Sequence, residues 1–140
     1  MSETFVGREP ELAALSAVFA AALAGQGQLM LVAGEPGIGK TRLLEEFASV
    51  AQQQAALFWG RCWEGDGTPA FWPWVQIVRA YVSGSDPLTL LEELGSGAAD
   101  IAQIVPEVRN RLPQLPMPLA IDPEYARFRF FDGLASFLRN

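Results

Sequence analysis

Large apolar residues recur three or four positions apart in two segments near the start of this sequence. The first covers residues 12–23, is rich in alanine and is followed by Gly25. The second covers residues 43–51 and carries Glu45 and Glu46 at positions outside the apolar stripe. This spacing predicts two amphipathic helices, and the glycine after the first is typical of a helix end.

Two other segments have the pattern of strands. Residues 29–33 are a short continuous apolar run that leads into a glycine-rich loop, which is typical of a buried parallel strand. Residues 55–62 contain three large apolar residues in a row before a polar turn, and they predict a second strand. Strand, loop, helix and strand form one βαβ unit, so the pattern predicts an α/β fold with two parallel strands and about six helices.

Helical spacing returns in the second half of the chain. One helix is predicted over residues 71–82, and Asp86 opens a short helix that Gly95 closes. A further helix runs through Ile101 and is broken or kinked by Pro106, because proline lacks the backbone donor that the helix needs.

A proline-rich connector precedes the last predicted helix. Asp122 is interpreted as its N-cap and Pro123 as its first residue. Apolar residues through Leu138 surround most of the circumference of this helix, which predicts a buried helix.

Composition excludes several kinds of chemistry. The 140 residues carry a net charge of −6, one cysteine and no histidine, so zinc sites, Ser-His triads and an internal disulfide are excluded. The acidic balance argues against nucleic acid or an anionic membrane as a direct partner.

Cys62 is expected to be a small buried side chain, because no neighbour in sequence would activate a thiolate. Packing roles are expected for the tryptophans, with Trp63 the most exposed of them.

Residues 12–34 carry no charge and are numerous enough to span a bilayer. Residues 25–28, Gly-Gln-Gly-Gln, divide this stretch into pieces that are too short to span a bilayer. The residues before it are acidic rather than basic, which disfavours a signal peptide. The sequence therefore predicts a cytoplasmic protein with no membrane partner.

The strongest chemical signal is a match to the phosphate-loop (Walker A) spacing G-x-x-x-x-G-K-[ST]. It lies between the predicted first strand and the second helix, where backbone N–H groups can surround a phosphate. The candidate ligand-binding residues are Gly34, Glu35, Pro36, Gly37, Ile38, Gly39, Lys40 and Thr41, together with the adjacent Arg42.

Two side chains of this loop have expected roles. Lys40 is the only lysine among ten basic residues and is expected to meet the β- and γ-phosphates of a nucleotide. Thr41 is expected to hold a Mg²⁺ ion. With its sole lysine in the loop, the chain cannot contain an Asn-Lys-x-Asp segment that reads guanine, so ATP is the expected nucleotide.

Hydrolysis requires an acid at the end of an apolar strand. The nearest candidate is Asp122, but the apolar run before it is short and Pro123 follows it at once. Since Asp122 is interpreted as a helix cap, little or no hydrolysis by this chain alone is expected.

Besides the phosphate loop, the chain contains Phe5-Val6-Gly7-Arg8-Glu9-Pro10-Glu11-Leu12, Gly60-Arg61-Cys62 and Phe71-Trp72-Pro73-Trp74, in this order. This order of motifs resembles the start of the ATPase domain of STAND signalling proteins. These include large ATP-binding LuxR-type (MalT-like) regulators and relatives with an AAA-type domain like that of the origin-recognition ATPases. By this resemblance Val6, Gly7 and Arg8 lie near the adenine and ribose.

The resemblance also implies an incomplete P-loop core, because the family continues into an acidic Walker B strand that is absent here. The expected organisation is a lead-in over residues 1–27 and the N-terminal part of the ATPase domain over residues 28–140, within a longer parent chain. Exposed strand edges and the aromatic last helix predict self-association. Two alternatives stay open: a small-molecule kinase in which Arg61 and Arg79 face the transferred phosphate, and a non-catalytic fragment that folds only against a partner.

Overall fold

The computed structural model describes residues 7–63, 65, 67, 69–117 and 122–140. The chain divides into two compact units, Met1–Leu57 and Phe58–Asn140. Seven α-helices and one 3₁₀ helix are present in the described residues, and no strand occurs among them. No helix in these ranges is long and apolar enough to cross a membrane.

The predicted α/β fold is wrong for the part of the chain that the structure describes. Neither residues 29–33 nor residues 55–62 form a strand. Leu29 is 90% exposed and Leu31 is 85% exposed, so the first apolar run is not buried between covering layers. A strand exists through hydrogen bonds to a neighbouring strand, and apolar composition alone does not supply that neighbour.

The first unit contains two helices, α1 (Glu9–Leu23) and α2 (Lys40–Ala51), as the apolar spacing predicts. Their packing includes an edge-to-face contact between the rings of Phe19 and Phe47, whose centroids lie 5.7 Å apart. Leu15 on α1 and Leu43 on α2 are buried. The ring contact joins the second half of α1 to the second half of α2.

The second unit contains five helices: α3 (Trp72–Gly84), α4 (Pro87–Leu94), α5 (Ala98–Ile104), α6 (Glu107–Arg111) and α7 (Pro123–Phe137). The 3₁₀ helix Gly95–Gly97 joins α4 to α5. The break predicted at Pro106 is confirmed, because it separates α5 from α6. The core consists of apolar side chains from all five helices, among them Val78, Leu90, Ile101, Val108 and Phe130.

Asp122 caps α7, as predicted: its side chain accepts a hydrogen bond of 2.8 Å from the backbone N–H of Glu124.

The prediction that α7 is buried on nearly all sides is wrong. Phe130 and Leu134 are buried, whereas Phe128 is 65% exposed. Only one face of α7 meets the other helices of its unit, so side chains elsewhere on its circumference remain in contact with solvent.

The approach of α7 to α5 and the 3₁₀ helix depends on two glycines and an ion pair. A Cβ atom on Gly97 would lie 2.6 Å from the Cα of Gly133. Nearby, the Arg129 guanidinium donates two hydrogen bonds to the buried Asp100 carboxylate, at 2.9 and 2.7 Å. The absence of side chains at the crossing therefore lets the helices approach, and the charged pair joins them beside it.

The segment that precedes α3 is held by a side-chain amide. Gln76 Nε2 donates to the carbonyl oxygen of Arg61 at 2.9 Å, and Gly60 lies close against the backbone of Pro73.

Trp63 is 72% exposed, as predicted, but Cys62 is exposed and the prediction of a buried thiol is wrong. Without a strand at residues 55–62, Cys62 has no second layer above it.

The N-cap of α4 provides a prediction about acid stability. The Asp86 carboxylate accepts hydrogen bonds from the Thr89 hydroxyl and from the backbone N–H groups of Thr89 and Leu88, at 3.1 and 3.0 Å for the two amides. These bonds hold the pKa of Asp86 below its usual value of 3.8. The stabilisation is therefore present above pH 3.8 and is lost as the pH falls through the lower folded-state pKa.

We expect the melting temperature of the unmodified chain to fall more steeply in acid than that of Asp86→Asn. Asparagine can cap the helix but does not titrate, so its contribution stays constant. Thermal denaturation across a pH series checks this difference. Parallel curves for the two proteins would contradict it.

Candidate functional site

The glycine-rich loop leads directly into α2, and two of its glycines have backbone conformations that other residues rarely adopt. Gly37 has φ +78° and Gly39, the N-cap of α2, has φ +95°. A Cβ atom on either glycine would meet nothing within 4 Å. Glycine is therefore required here for the path of the chain, and the adjacent space remains open for a ligand.

Gly34 is constrained in a different way. A Cβ atom at this position would lie 3.1 Å from Cγ2 of Ile38, so a side chain would press against the far end of the loop. Pro36 lies in the turn between them, and the Ile38 N–H donates to the Glu35 carbonyl at 3.3 Å. The loop is thus closed on itself by short-range contacts.

Lys40 closes the loop further. Its Nζ donates to the carbonyl oxygens of Gly34 and Glu35, both at 2.9 Å. An ammonium group has three N–H donors, so one donor remains for a ligand. The structure therefore places a positive charge beside the carbonyl oxygens of Gly34 and Glu35.

Thr41 and Arg42 follow Lys40 in the first turn of α2, and both are exposed. Arg42 forms an ion pair along the helix with Glu46, 3.7 Å away. Among the described residues, no three His, Cys, Asp or Glu side chains lie close enough together to hold a metal ion. The role of the Thr41 hydroxyl as a Mg²⁺ ligand stays a prediction from the motif; Mg²⁺ takes its other oxygens readily from water and phosphate.

The structure brings Arg8 to this loop. Its guanidinium donates to Glu11 Oε1 at 2.7 Å and to the backbone carbonyl of Ile38 at 2.9 Å. Gly7 has φ +82° in open space, and Val6 lies outside the described residues. That Arg8 lies beside adenine and ribose stays a prediction, and what the structure shows is its contact with the glycine-rich loop.

Glu11 is a site residue that sequence reasoning missed. The hydrogen bond from Arg8, followed by a backbone hydrogen bond, lowers the pKa of this carboxyl. The available signal was the spacing of three residues between Arg8 and Glu11, which places opposite charges next to each other in the first turn of a helix.

A cavity of about 110 Å³ lies between these groups, lined among others by Arg8, Glu11, Gly34, Ile38 and Lys40. Two cations and one carboxylate border it, so an anion is favoured. Pockets that enclose a whole drug-sized ligand are larger, roughly 300 Å³ or more. The cavity therefore suits part of an anionic ligand, such as a phosphate group, with the rest outside it.

A larger cavity, about 210 Å³, lies in the second unit beside Asp100, Tyr125 and Arg129. Hydrogen bonds to Asp100, and then to Tyr125, raise the pKa of Arg129. The guanidinium is already neutralised by a carboxylate, and Asp132 adds another negative charge. This cavity is consequently a poor site for an anion.

The two arginines of the kinase alternative belong to the second unit. Arg79 forms a 2.7 Å ion pair with Glu107 and lies over the Trp72 ring, 5.3 Å from its centroid. The backbone carbonyl of Arg61 accepts from Gln76. Since Arg79 is held by a carboxylate and an aromatic ring, no contact of this residue favours phosphate transfer.

One family model and one relative match most of this chain. A family model described as "AAA ATPase domain" matches residues 4–140. An uncharacterized protein of Rhizobium meliloti (strain 1021) is 30% identical over 105 residues, and the matched segment covers 74% of this chain and 10% of the relative. No solved structure matches the chain.

Proposed function

This chain belongs to the AAA ATPase domain family, whose members bind nucleotides, and on that premise we propose that residues 34–41 bind ATP together with Mg²⁺. The observation that carries the proposal is the position of Lys40. Its ammonium group is held by two loop carbonyls at 2.9 Å each, beside glycines whose positive φ angles turn the backbone around an open space. Such a loop at the start of a helix is suited to a polyphosphate.

Each loop residue has a proposed role. Gly34, Gly37 and Gly39 let backbone N–H groups approach the phosphates, and the third donor of Lys40 meets the β- and γ-phosphate oxygens. The Thr41 hydroxyl is the proposed protein ligand of Mg²⁺, which neutralises phosphate charge when bound.

We further propose that Val6, Gly7 and Arg8 lie near the nucleotide, and that the base is adenine. The cation at Arg8 lines the same cavity as Lys40, which supports a position close to the ligand. The absence of a second lysine excludes the Asn-Lys-x-Asp guanine-reading segment from this chain, which favours ATP over GTP.

Little or no hydrolysis is proposed for this chain alone. A hydrolytic P-loop site needs a carboxylate that orients the attacking water. The Asp122 carboxylate accepts a hydrogen bond from the backbone of its own helix, which supports the role of a cap. ATP would then act as a bound regulator rather than as a substrate turned over by this segment.

The wider proposal is a STAND-type regulatory switch in a longer cytoplasmic protein. The match to only 10% of the relative supports further domains beyond the matched segment.

Exposed apolar side chains on α7 and just after it, Phe128 at 65% and Leu138 at 60%, support self-association of this chain by itself.

Titration with a fluorescent ATP analogue in the presence of Mg²⁺ tests the proposal. We expect saturable binding that unlabelled ATP displaces and that GTP displaces more weakly, while phosphate release stays at the level of a Lys40→Ala control. Absence of saturable binding would contradict the proposed site. Robust phosphate release that Asp122→Asn abolishes would show that Asp122 is a catalytic acid.

A further inference from the structure

We propose that Glu11 is a positioning residue for the phosphate loop: it orients the Arg8 guanidinium, which holds the Ile38 carbonyl and so fixes the direction of the Gly39 N–H. The part of this inference that concerns nucleotide affinity rests on the proposed function. The part that concerns the order of the loop does not.

The geometry links three positions through one side chain. Arg8 reaches Glu11 Oε1 with one terminal nitrogen at 2.7 Å and the Ile38 carbonyl oxygen with the other at 2.9 Å. Because the guanidinium is planar, fixing one nitrogen on the carboxylate constrains where the other points. The exposed fractions of the Arg8 and Glu11 side chains are 33% and 43%, so solvent screens this pair only in part.

Ile38 lies in a part of the loop where the backbone has much conformational freedom. It lies between Gly37 and Gly39, both at positive φ, and glycine is the residue with the most backbone freedom. The Ile38 side chain is 49% exposed, and its N–H bond to Glu35 is long, at 3.3 Å. The Arg8 hydrogen bond therefore supplies a restraint that side-chain packing does not.

Because the peptide unit is planar, holding the Ile38 carbonyl also fixes the direction of the Gly39 N–H. The Ile38 carbonyl and the Gly39 N–H belong to one peptide unit, and in a trans peptide they point to opposite sides of the chain. No cis peptide occurs in the described residues. With the carbonyl held toward Arg8, the direction of the Gly39 N–H is fixed as well, on the opposite side of the same peptide unit.

A purely electrostatic role for Glu11 makes the opposite prediction. Removing a carboxylate beside a phosphate site reduces repulsion, so Glu11→Gln would then bind ATP more tightly. If Glu11 positions Arg8, the same variant binds ATP more weakly, because the loop must be ordered during binding. The sign of the change in affinity therefore separates the two roles.

The first experiment measures loop order without nucleotide. Backbone ¹⁵N relaxation is recorded for the unmodified chain, Glu11→Gln and Arg8→Lys, since lysine cannot bridge two partners in a fixed fork. We expect the order parameters of Ile38 and Gly39 to fall from about 0.85 toward 0.6 in both variants, with α1 and α2 unchanged. Glu46→Gln, which removes the carboxylate of another arginine pair on α2, is the matched control and leaves Ile38 and Gly39 unchanged.

The second experiment titrates the same proteins with the fluorescent ATP analogue. We expect Glu11→Gln, which replaces a charge-assisted hydrogen bond with a weaker neutral one, and Arg8→Lys, which removes the fixed fork, to raise the dissociation constant by about three- to tenfold. Unchanged order parameters would overturn the positioning role whatever the affinity does. A disordered loop with unchanged or tighter ATP binding would overturn its link to the nucleotide. Failure of the unmodified chain to bind ATP refutes the proposed function, while the relaxation data still decide the role of Glu11.

Discussion

Lys40→Ala is expected to weaken ATP binding about 10- to 100-fold, because hydrogen bonds between charged groups contribute about 1.5–3 kcal/mol and backbone donors of the loop remain. The substitution also leaves the Gly34 and Glu35 carbonyls without the ammonium group that each now contacts at 2.9 Å. Those oxygens would then face the phosphates with no intervening positive charge. Isothermal or fluorescence titration at fixed salt measures the change.

Arg139→Ala is a suitable control for this prediction. It removes one positive charge from an exposed position at the end of the second unit, so the overall charge changes equally while the loop is left intact. Lys40→Arg adds a geometric test, because a planar guanidinium fits a crowded phosphate loop less well than a compact ammonium. Equal affinity of Lys40→Ala and the unmodified chain would show that residues 34–41 are only a turn.

The second large effect concerns stability. Gly97→Ala is expected to lower the free energy of unfolding by about 1–3 kcal/mol, the usual effect of overpacking a well-packed contact. The added Cβ would lie 2.6 Å from Cα of Gly133 and 3.3 Å from its carbonyl carbon and oxygen. Because the obstructing atoms are backbone, relief requires α7 to move away from the 3₁₀ helix. Urea denaturation measures the loss.

Two other glycines provide internal comparisons for Gly97→Ala. A Cβ on Gly133 would come no closer than 3.2 Å to Gly97, so Gly133→Ala is expected to destabilise less. A Cβ on Gly84, the last residue of α3, meets nothing within 4 Å, and alanine favours helix, so Gly84→Ala is expected to be neutral or slightly stabilising. An equal effect of all three substitutions would contradict the steric explanation.

Local signals predicted the helices well. Asp86 and Asp122 cap α4 and α7 as expected, and Pro106 separates α5 from α6. Each of these outcomes depends on a few neighbouring residues: a side-chain oxygen that accepts from nearby backbone amides, or a proline without a donor. Such effects can be read from sequence because their partners lie within a few positions.

The strands were predicted from composition and were wrong, because a strand depends on a partner that the segment itself does not encode. Residues 29–33 are as apolar as a buried strand, yet Leu29 and Leu31 are exposed. The prediction that Cys62 is buried was wrong for the same reason, because it assumed that residues 55–62 form a covered strand. In each case the error concerned contacts with distant parts of the chain.

By itself the sequence determined the helices and their caps, because spacing and residue type control those features locally, and it predicted a phosphate loop with Lys40. Only the tertiary structure decided that Arg8 contacts the Ile38 carbonyl, thirty residues away, and that Glu11 holds Arg8 there. It also decided which face of α7 is buried and that Gly97 meets Gly133. Contacts of this kind depend on how helices pack, and packing follows from the shape of both surfaces rather than from the pattern of either one.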